Sequence, residues 1–257
     1  MFINTLQRLV TYLRRFFKIF LCGFIDLKLF NTSIIVLTNY IYFILIINRK
    51  IESKYKNEKK KFIELCDIRL KFNQRDLFSN NVPSWLYIFD KFSLFNKKLK
   101  ALEIGSYEGR SSFFLLNNLK NAELTCVDTF KPFHELQGDF PEKFNKIYEN
   151  FKSNTLEFSE RAVAFKQDSK NFFLKNKDKF DLIYVDGSHE YKDVLYDAQE
   201  AFANLNKYGI IIFDDFLWEH KKVTLSPTFA ILNFLKKNLK KIKILYLNYQ
   251  IIIQKIG

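Results

Sequence analysis

The stretch KALEIGSYEGRSS, Lys100–Ser112, decides the fold. A short apolar strand-like run ends at Gly105, a second glycine follows at Gly109, and a helix-forming run begins at once. Only 7 of the 257 residues are glycine, so two placed four apart mark a turn that needs unusual backbone freedom. Lacking a Cβ, Gly105 and Gly109 permit a tight bend and let a ligand approach the main chain before the next helix starts. The pattern is E-x-G-x-x-x-G, not the G-x-G-x-x-G of dinucleotide enzymes. Glu103, set in the apolar strand end, is costly to bury without a cationic or hydrogen-bonding partner.

Downstream, the same rhythm repeats. The strand-like runs ELTCVD, RAVAFKQD, FDLIYVDG and GIIIFDD alternate with helical stretches such as SSFFLLNNLK, SKNFFLKNK, Tyr191 to about Leu205, and TFAILNFLKKN. This alternation predicts a doubly wound, Rossmann-like, mostly parallel sheet with helices on both faces. KIKILYL and YQIIIQKI close the chain, bringing the strands to seven. The link between those two is too short for a helical crossover, so they are expected to form an antiparallel hairpin at one side. Lys207–Ile210, KYGI, puts a tyrosine before the glycine of a turn.

Upstream of Leu99 the composition changes, and three segments are expected. Residues 99–257 form the α/β domain, 49–98 a charged helical lead-in, and 1–48 a hydrophobic, basic extension. Leu29 to Asn48 carries no charge over 20 positions, just long enough to cross a bilayer as a helix. Basic residues stand on both sides, which gives no orientation for a span, and LVTYLRRFFKIFLCGF mixes bases with aromatics as an interfacial helix does. Contact with a membrane surface is one expectation for this extension. Packing on the α/β domain or on a second copy, as a homo-oligomer, is the other.

The net charge is +13 and the pI about 9.4. Lysines are spread along the whole chain, and the densest cluster, Asn48 to Phe62, interleaves Glu52 and Glu58 at helical spacing, as a solvated helix face does. No zinc-finger spacing or RNA-binding aromatic signature supports a nucleic-acid partner. Cys22, Cys66 and Cys126 lie far apart, which fits a reducing, cytoplasmic setting.

Acidic residues recur at the strand ends, where open α/β sheets bind ligands. Asp128 ends the second strand, where it can accept hydrogen bonds from both hydroxyls of a ribose. Asp168 and Ser169 follow the third. VDGSH and FDDF end the fourth and fifth, so Asp186, Asp214 and Asp215 can converge. Three carboxylates share a small space only if a cation neutralises them or their pKa values rise, and a hard divalent ion, most simply Mg²⁺, meets that need. An aspartate at a strand end can instead cap the next helix. Trp218 and Phe216 follow as candidates for the wall of an acceptor pocket, and His134 and His220 read as loop residues.

On LEIGSYEGRSS, FDLIYVDGSHEYKDVLYDAQEAF and YGIIIFDDF, the region from about Leu99 to Ile256 resembles the class I S-adenosylmethionine-dependent methyltransferases. Within them it is similar to the branch of macrolide-sugar and cephalosporin-pathway O-methyltransferases. The resemblance implies that Glu103 or its neighbourhood meets the methionine amino group. Gly105, Ser106, Gly109 and Ser111 would shape the loop under the cofactor, Asp128 would hold the ribose, and Asp168 with Ser169 would face the adenine. It further implies a metal held by Asp186, Asp214 and Asp215 that binds the acceptor hydroxyl, with His189 taking the proton, although His189 could equally orient Asp186. The acceptor expected is the hydroxyl of a small molecule, sugar or glycan.

Overall fold

The computed structural model describes residues 2–73, 75–131 and 146–257, with side chains from residue 7 onward. His134 lies outside the described residues. The N-terminal part is helical: α1 (Phe2–Ile25), α2 (Phe30–Tyr42), a π-helical turn Phe43–Ile47, α3 (Asn48–Lys54), α4 (Lys56–Arg69) and α5 (Val82–Lys91). The strands and helices then alternate as β1 (Leu99–Ile104), α6 (Arg110–Asn118), β2 (Ala122–Asp128), α7 (Ile147–Thr155), β3 (Ala162–Lys166), α8 (Ser169–Lys175), β4 (Phe180–Val185), α9 (Tyr191–Ala203), β5 (Leu205–Phe213), α10 (Pro227–Asn238), β6 (Ile242–Leu247) and β7 (Ile251–Lys255).

The seven strands form one sheet in the order β3-β2-β1-β4-β5-β7-β6. β1 to β5 run parallel, and β7 lies antiparallel between β5 and β6. This is the doubly wound sheet with an antiparallel C-terminal pair that the alternation predicts. β1 and β4 pair at the point where strand order reverses, the crevice in which such sheets take ligands. Both are buried along almost their whole length, as near-continuous apolar strands covered by helices must be.

β5 starts at Leu205, four residues ahead of the GIII run, because its register against β4 jumps from Phe180–Leu205 to Leu182–Ile210. The surplus residues bulge out with Tyr208 in the left-handed region, at φ 65°. Gly209 therefore lies inside a bulged strand, and not in a turn between elements.

The N-terminal helices pack on the sheet domain. α1 and α2 lie against each other and against α10, and α2 reaches β6. Phe43 meets the Tyr246 ring edge-on at 5.5 Å, the Tyr246 hydroxyl donates to Asn48 Oδ1 at 2.7 Å, and Arg15 donates to Asn248 Oδ1 at 3.1 Å. Residues 49–98 contribute Trp85, Ile88 and Phe89 to the core, each without solvent exposure. The outer face of the α1–α2 pair is apolar and bare: Phe17 is 60% exposed, Phe24 62% and Leu45 74%. The helical run Leu27–Lys54, of mean hydropathy 1.8 over its most apolar window, is long enough to cross a membrane, and 33% of that window is buried inside the structure.

Candidate active site

Gly105 adopts φ 89° and Gly109 φ 83°, so the turn between β1 and α6 uses the freedom that only glycine has. At Gly105 the reason is sharper: a Cβ there would lie 1.9 Å from the backbone oxygen of Asp186, at the end of the neighbouring strand. The Gly105 side of the loop and the start of α6 form a small cavity of about 70 Å³ lined by Gly105, Ser106, Ser111 and Asp186. Its other wall is the segment before β1, including Phe72, Arg75, Leu77 and Phe78. That segment is pinned over the loop. Glu108 accepts from Asn150 Nδ2 at 2.7 Å and from the Asn73 backbone at 3.0 Å, and the Arg110 guanidinium stacks 3.8 Å over Phe72.

The remaining residues expected at the cofactor sit around this cavity and do not line it. Glu103 is fully buried beneath the loop, where it accepts from Ser112 Oγ, and desolvation raises its pKa. Asp128 accepts from the backbone of Tyr107 at 2.7 Å and of Phe130 at 2.5 Å. It thereby holds the glycine loop against the end of β2, and burial raises its pKa against those hydrogen bonds. Asp168 caps α8 by accepting from the Asn171 backbone at 2.8 Å and from Asn171 Nδ2 at 2.7 Å. Those bonds hold its carboxyl below the usual range, and Ser169 is the first residue of that helix.

A second cavity, of about 670 Å³, opens beside the first. Arg75, Leu77 and Asp186 line both. Asp186, Asp214, Asp215 and His189 all face the larger one, so the structure brings these four residues together. They are joined by a residue that the motifs did not single out. The hydroxyl of the fully buried Tyr184 lies 2.7 Å from Asp186 Oδ2 and 2.5 Å from Asp214 Oδ2. Tyr184 precedes Asp186 by two positions and therefore points to the same face of β4, a relation that the sequence did contain. Asn81, which donates to Asp214 Oδ2 at 3.0 Å, gave no such signal.

A hydroxyl carries one proton and can donate to only one of two carboxylate oxygens. The second contact requires a proton on a carboxyl. Burial, followed by repulsion from the neighbouring acids, raises Asp186 well above the carboxylate range and Asp214 to about 6, so the pair retains a proton close to neutral pH. Asp215 stands apart, with its Oδ2 2.8 Å from His189 Nε2. The imidazole stacks on Trp218 at 4.3 Å and 17°, and Trp218 is braced from α1 by Lys18, whose amine donates to the Trp218 carbonyl. Asp215 itself adopts φ 47°, a left-handed strain characteristic of functional positions.

The structure thus places the three expected metal ligands, Asp186, Asp214 and Asp215, around one cavity, with their facing oxygens engaged by Tyr184 and His189. Among the described residues no group of three or more His, Cys, Asp or Glu is disposed to hold a metal ion. Asp186 and Asp214 spend their convergent oxygens on Tyr184, and Asp215 spends one on His189. Trp218 lines the larger cavity, whereas Phe216 is wholly buried in the core. His220 belongs to a loop, 3.5 Å from Glu190.

Residues 102–216 match a family model described as a methyltransferase domain. The chain is 25% identical over 158 residues to the uncharacterised protein R132 of Acanthamoeba polyphaga mimivirus. That match takes in 58% of this chain and 66% of the relative, so the chain spans just under two thirds of the relative's length. Among solved structures, the SAH-bound methyltransferase PaMTH1 of Podospora anserina superposes with a TM-score of 0.52 at 14% identity, over 83% of this chain and 98% of that one. A candidate O-methyltransferase of Klebsiella pneumoniae gives 0.51 at 12% identity, over 85% and 95%. The mycinamycin-pathway methyltransferase MycE, solved with Mg, SAH and mycinamycin VI, gives 0.50 at 14% identity over 81% of this chain and 54% of that one. At these identities the superpositions show a shared fold.

Proposed function

We propose that the methyltransferase domain this chain carries over residues 102–216 transfers the methyl group of S-adenosylmethionine to a hydroxyl oxygen of a small molecule or sugar. The observation that carries the reading is the meeting of two cavities at Asp186, one bounded by the glycine loop and the other by the His189–Asp215 pair. Gly105, Ser106 and Ser111 would hold the donor, whose sulfonium supplies an already activated methyl group. An acceptor in the larger cavity then lies on the far side of that junction.

The chain's own task is alignment and proton removal. With Nε2–H donated to Asp215, the imidazole carries its lone pair on Nδ1, and Asp215 stabilises the imidazolium that forms as the acceptor hydroxyl gives up its proton. The S–CH₃ bond breaks as the O–CH₃ bond forms, the electron pair remains on sulfur, and the proton rests on His189. The reading fails if calorimetry finds binding of neither S-adenosylmethionine nor S-adenosylhomocysteine.

A second reading puts a divalent cation where the Asp186–Asp214 pair holds its proton. The convergence of two buried carboxylates favours it, but it requires the Tyr184 hydroxyl to move. Stability against pH separates the two. Both carboxyls bind protons more tightly in the folded chain than in the unfolded one, so their contribution is complete below about pH 4 and is lost as pH rises, for Asp214 through about 6. Between pH 5 and 8 without divalent ions, unfolding stability should fall by about 1–3 kcal/mol, and Asp214→Asn should remove most of that slope. Asp197, raised by burial to about 6, adds a background of the same sign. Saturable recovery of stability with Mg²⁺ at pH 8 identifies the cation; no recovery leaves the shared proton.

The bare apolar face of α1 and α2 supports contact with a cytoplasmic membrane surface. Full-length protein should co-sediment with anionic phosphatidylserine vesicles, and Phe17→Glu with Phe24→Glu should release it, since each charge must then leave water. A stable homodimer in detergent-free buffer, dissociated by the same substitutions, assigns the face to a second copy instead. Truncation at Lys54 is the poorer test, because it removes Phe43 and Asn48 from their contacts with Tyr246.

A further inference from the structure

We infer that the acceptor carries a phosphate group and that the N-terminal helices select it. This deepens the proposed O-methyl transfer and rests on it. The larger cavity is walled on one side by the sheet domain and on the other by residues far outside the methyltransferase match: Arg8 and Arg15 from α1, Asn48 and Glu52 from α3, and Lys59 from α4. With Arg75 at the junction, four basic side chains line it. Among the described residues none of the four has a carboxylate within 4.0 Å. Arg15 bonds an amide and lies 4.8 Å over the Tyr249 ring, and Lys59 donates to Asn80 at 2.7 Å, so both are held in place yet keep their charge.

The acids of the cavity offset this excess only in part. Asp186 and Asp214 turn their facing oxygens to the Tyr184 hydroxyl, and Asp215 faces His189. Glu52, whose pKa burial raises against the pull of Lys59 and Arg8, is the one carboxylate among the bases. Four cations without a carboxylate within 4.0 Å around one open cavity form an anion site, and guanidinium forks suit phosphate oxygens in particular. The neutral lining fits the rest of such a molecule. Amides of Asn80, Asn81 and Asn248 can hydrogen-bond several hydroxyls, and the aromatic residues Tyr12, Trp218 and Tyr246 line the same cavity. The combination matches a phosphorylated sugar, with its phosphate on the bases and one hydroxyl at Asp186 and His189.

The phosphate could belong to a water-soluble sugar phosphate or to a lipid-linked one, and the test separates them. Calorimetry on the full chain would use inorganic pyrophosphate, UDP-glucose, glucose, and phosphatidylcholine vesicles with and without undecaprenyl phosphate. Pyrophosphate should bind and glucose should not. The affinity should fall with added salt, and the Arg8→Gln/Lys59→Gln variant should lose about ten- to a hundredfold, the scale for removing charge-assisted hydrogen bonds. Preference for UDP-glucose indicates a soluble acceptor, and preference for the undecaprenyl phosphate vesicles a lipid-linked one.

Binding of S-adenosylhomocysteine by the same variant shows that the fold is intact. Failure of that cofactor to bind even the wild type would refute the methyl-transfer reading, while pyrophosphate binding would still report on the anion site. Equal pyrophosphate affinity in wild type and variant overturns the inference. So does displacement of pyrophosphate by a short single-stranded oligonucleotide at far lower concentration than UDP-glucose, which would mark a polynucleotide surface.

Discussion

His189→Ala is expected to lower turnover by about a hundredfold to ten-thousandfold, the usual contribution of a positioned base. S-Adenosylhomocysteine affinity should not change, because His189 faces the larger cavity and not the glycine loop. The acid limb of the pH–rate profile should vanish with it. Asp215→Asn is the sharper companion. Asparagine tolerates the left-handed backbone at position 215, so the turn persists while the charge opposite the imidazole is lost. Turnover should fall and the stability midpoint should hold. A His189→Ala enzyme with near-normal turnover would make the imidazole structural and leave the Asp186–Tyr184–Asp214 cluster as the proton acceptor.

The second large effect is at Gly105. Gly105→Ala forces a side chain into the left-handed region, at about 1–2 kcal/mol, and drives its Cβ to 1.9 Å from the Asp186 carbonyl. Relieving that contact must part β1 from the end of β4, at about 1–3 kcal/mol more if it behaves as an overpacked core position. Thermal and denaturant midpoints should both drop, and S-adenosylhomocysteine binding should be lost, because the loop and Asp186 move together. Gly109→Ala is the control. It meets the same left-handed cost at φ 83°, but its new Cβ would meet the Phe151 ring at 3.1 Å, a side chain and not a strand, so it should lose less stability and less binding than Gly105→Ala. A Gly105→Ala protein with native stability and native cofactor affinity would show that this turn is not built as described.

The sheet was largely legible. β1 to β5 announce themselves as apolar runs separated by helical periods, and β6 and β7 follow so closely that only antiparallel pairing was open to them. Gly105 and Asp186 were legible for a related reason: the end of a parallel strand is where backbone and acid meet a ligand, and each sits at such an end, with Gly109 capping the helix that follows. Asp168 shows the limit. An acid after a strand can serve as a ligand group or as a helix cap, and the cap that Asp168 makes with Asn171 appears only in the structure. Asp128 shows it again, since its two backbone donors, Tyr107 and Phe130, come from both flanks of the site.

By itself the sequence determined the doubly wound sheet and the acids at its strand ends, because hydrophobic period and glycine placement are local properties of the chain. The tertiary structure alone decided what those acids touch. Asn81 reaches Asp214 across 133 positions, Tyr184 bridges Asp186 and Asp214, and Asp215 turns to His189, contacts between side chains that no local pattern pairs. It also decided where the first 59 residues pack. Nothing in their apolar and basic pattern shows that Arg8, Arg15 and Lys59 face the cavity at Asp186; that depends on the packing of α1 and α2 against α10 and β6, which brings together side chains that no local pattern relates.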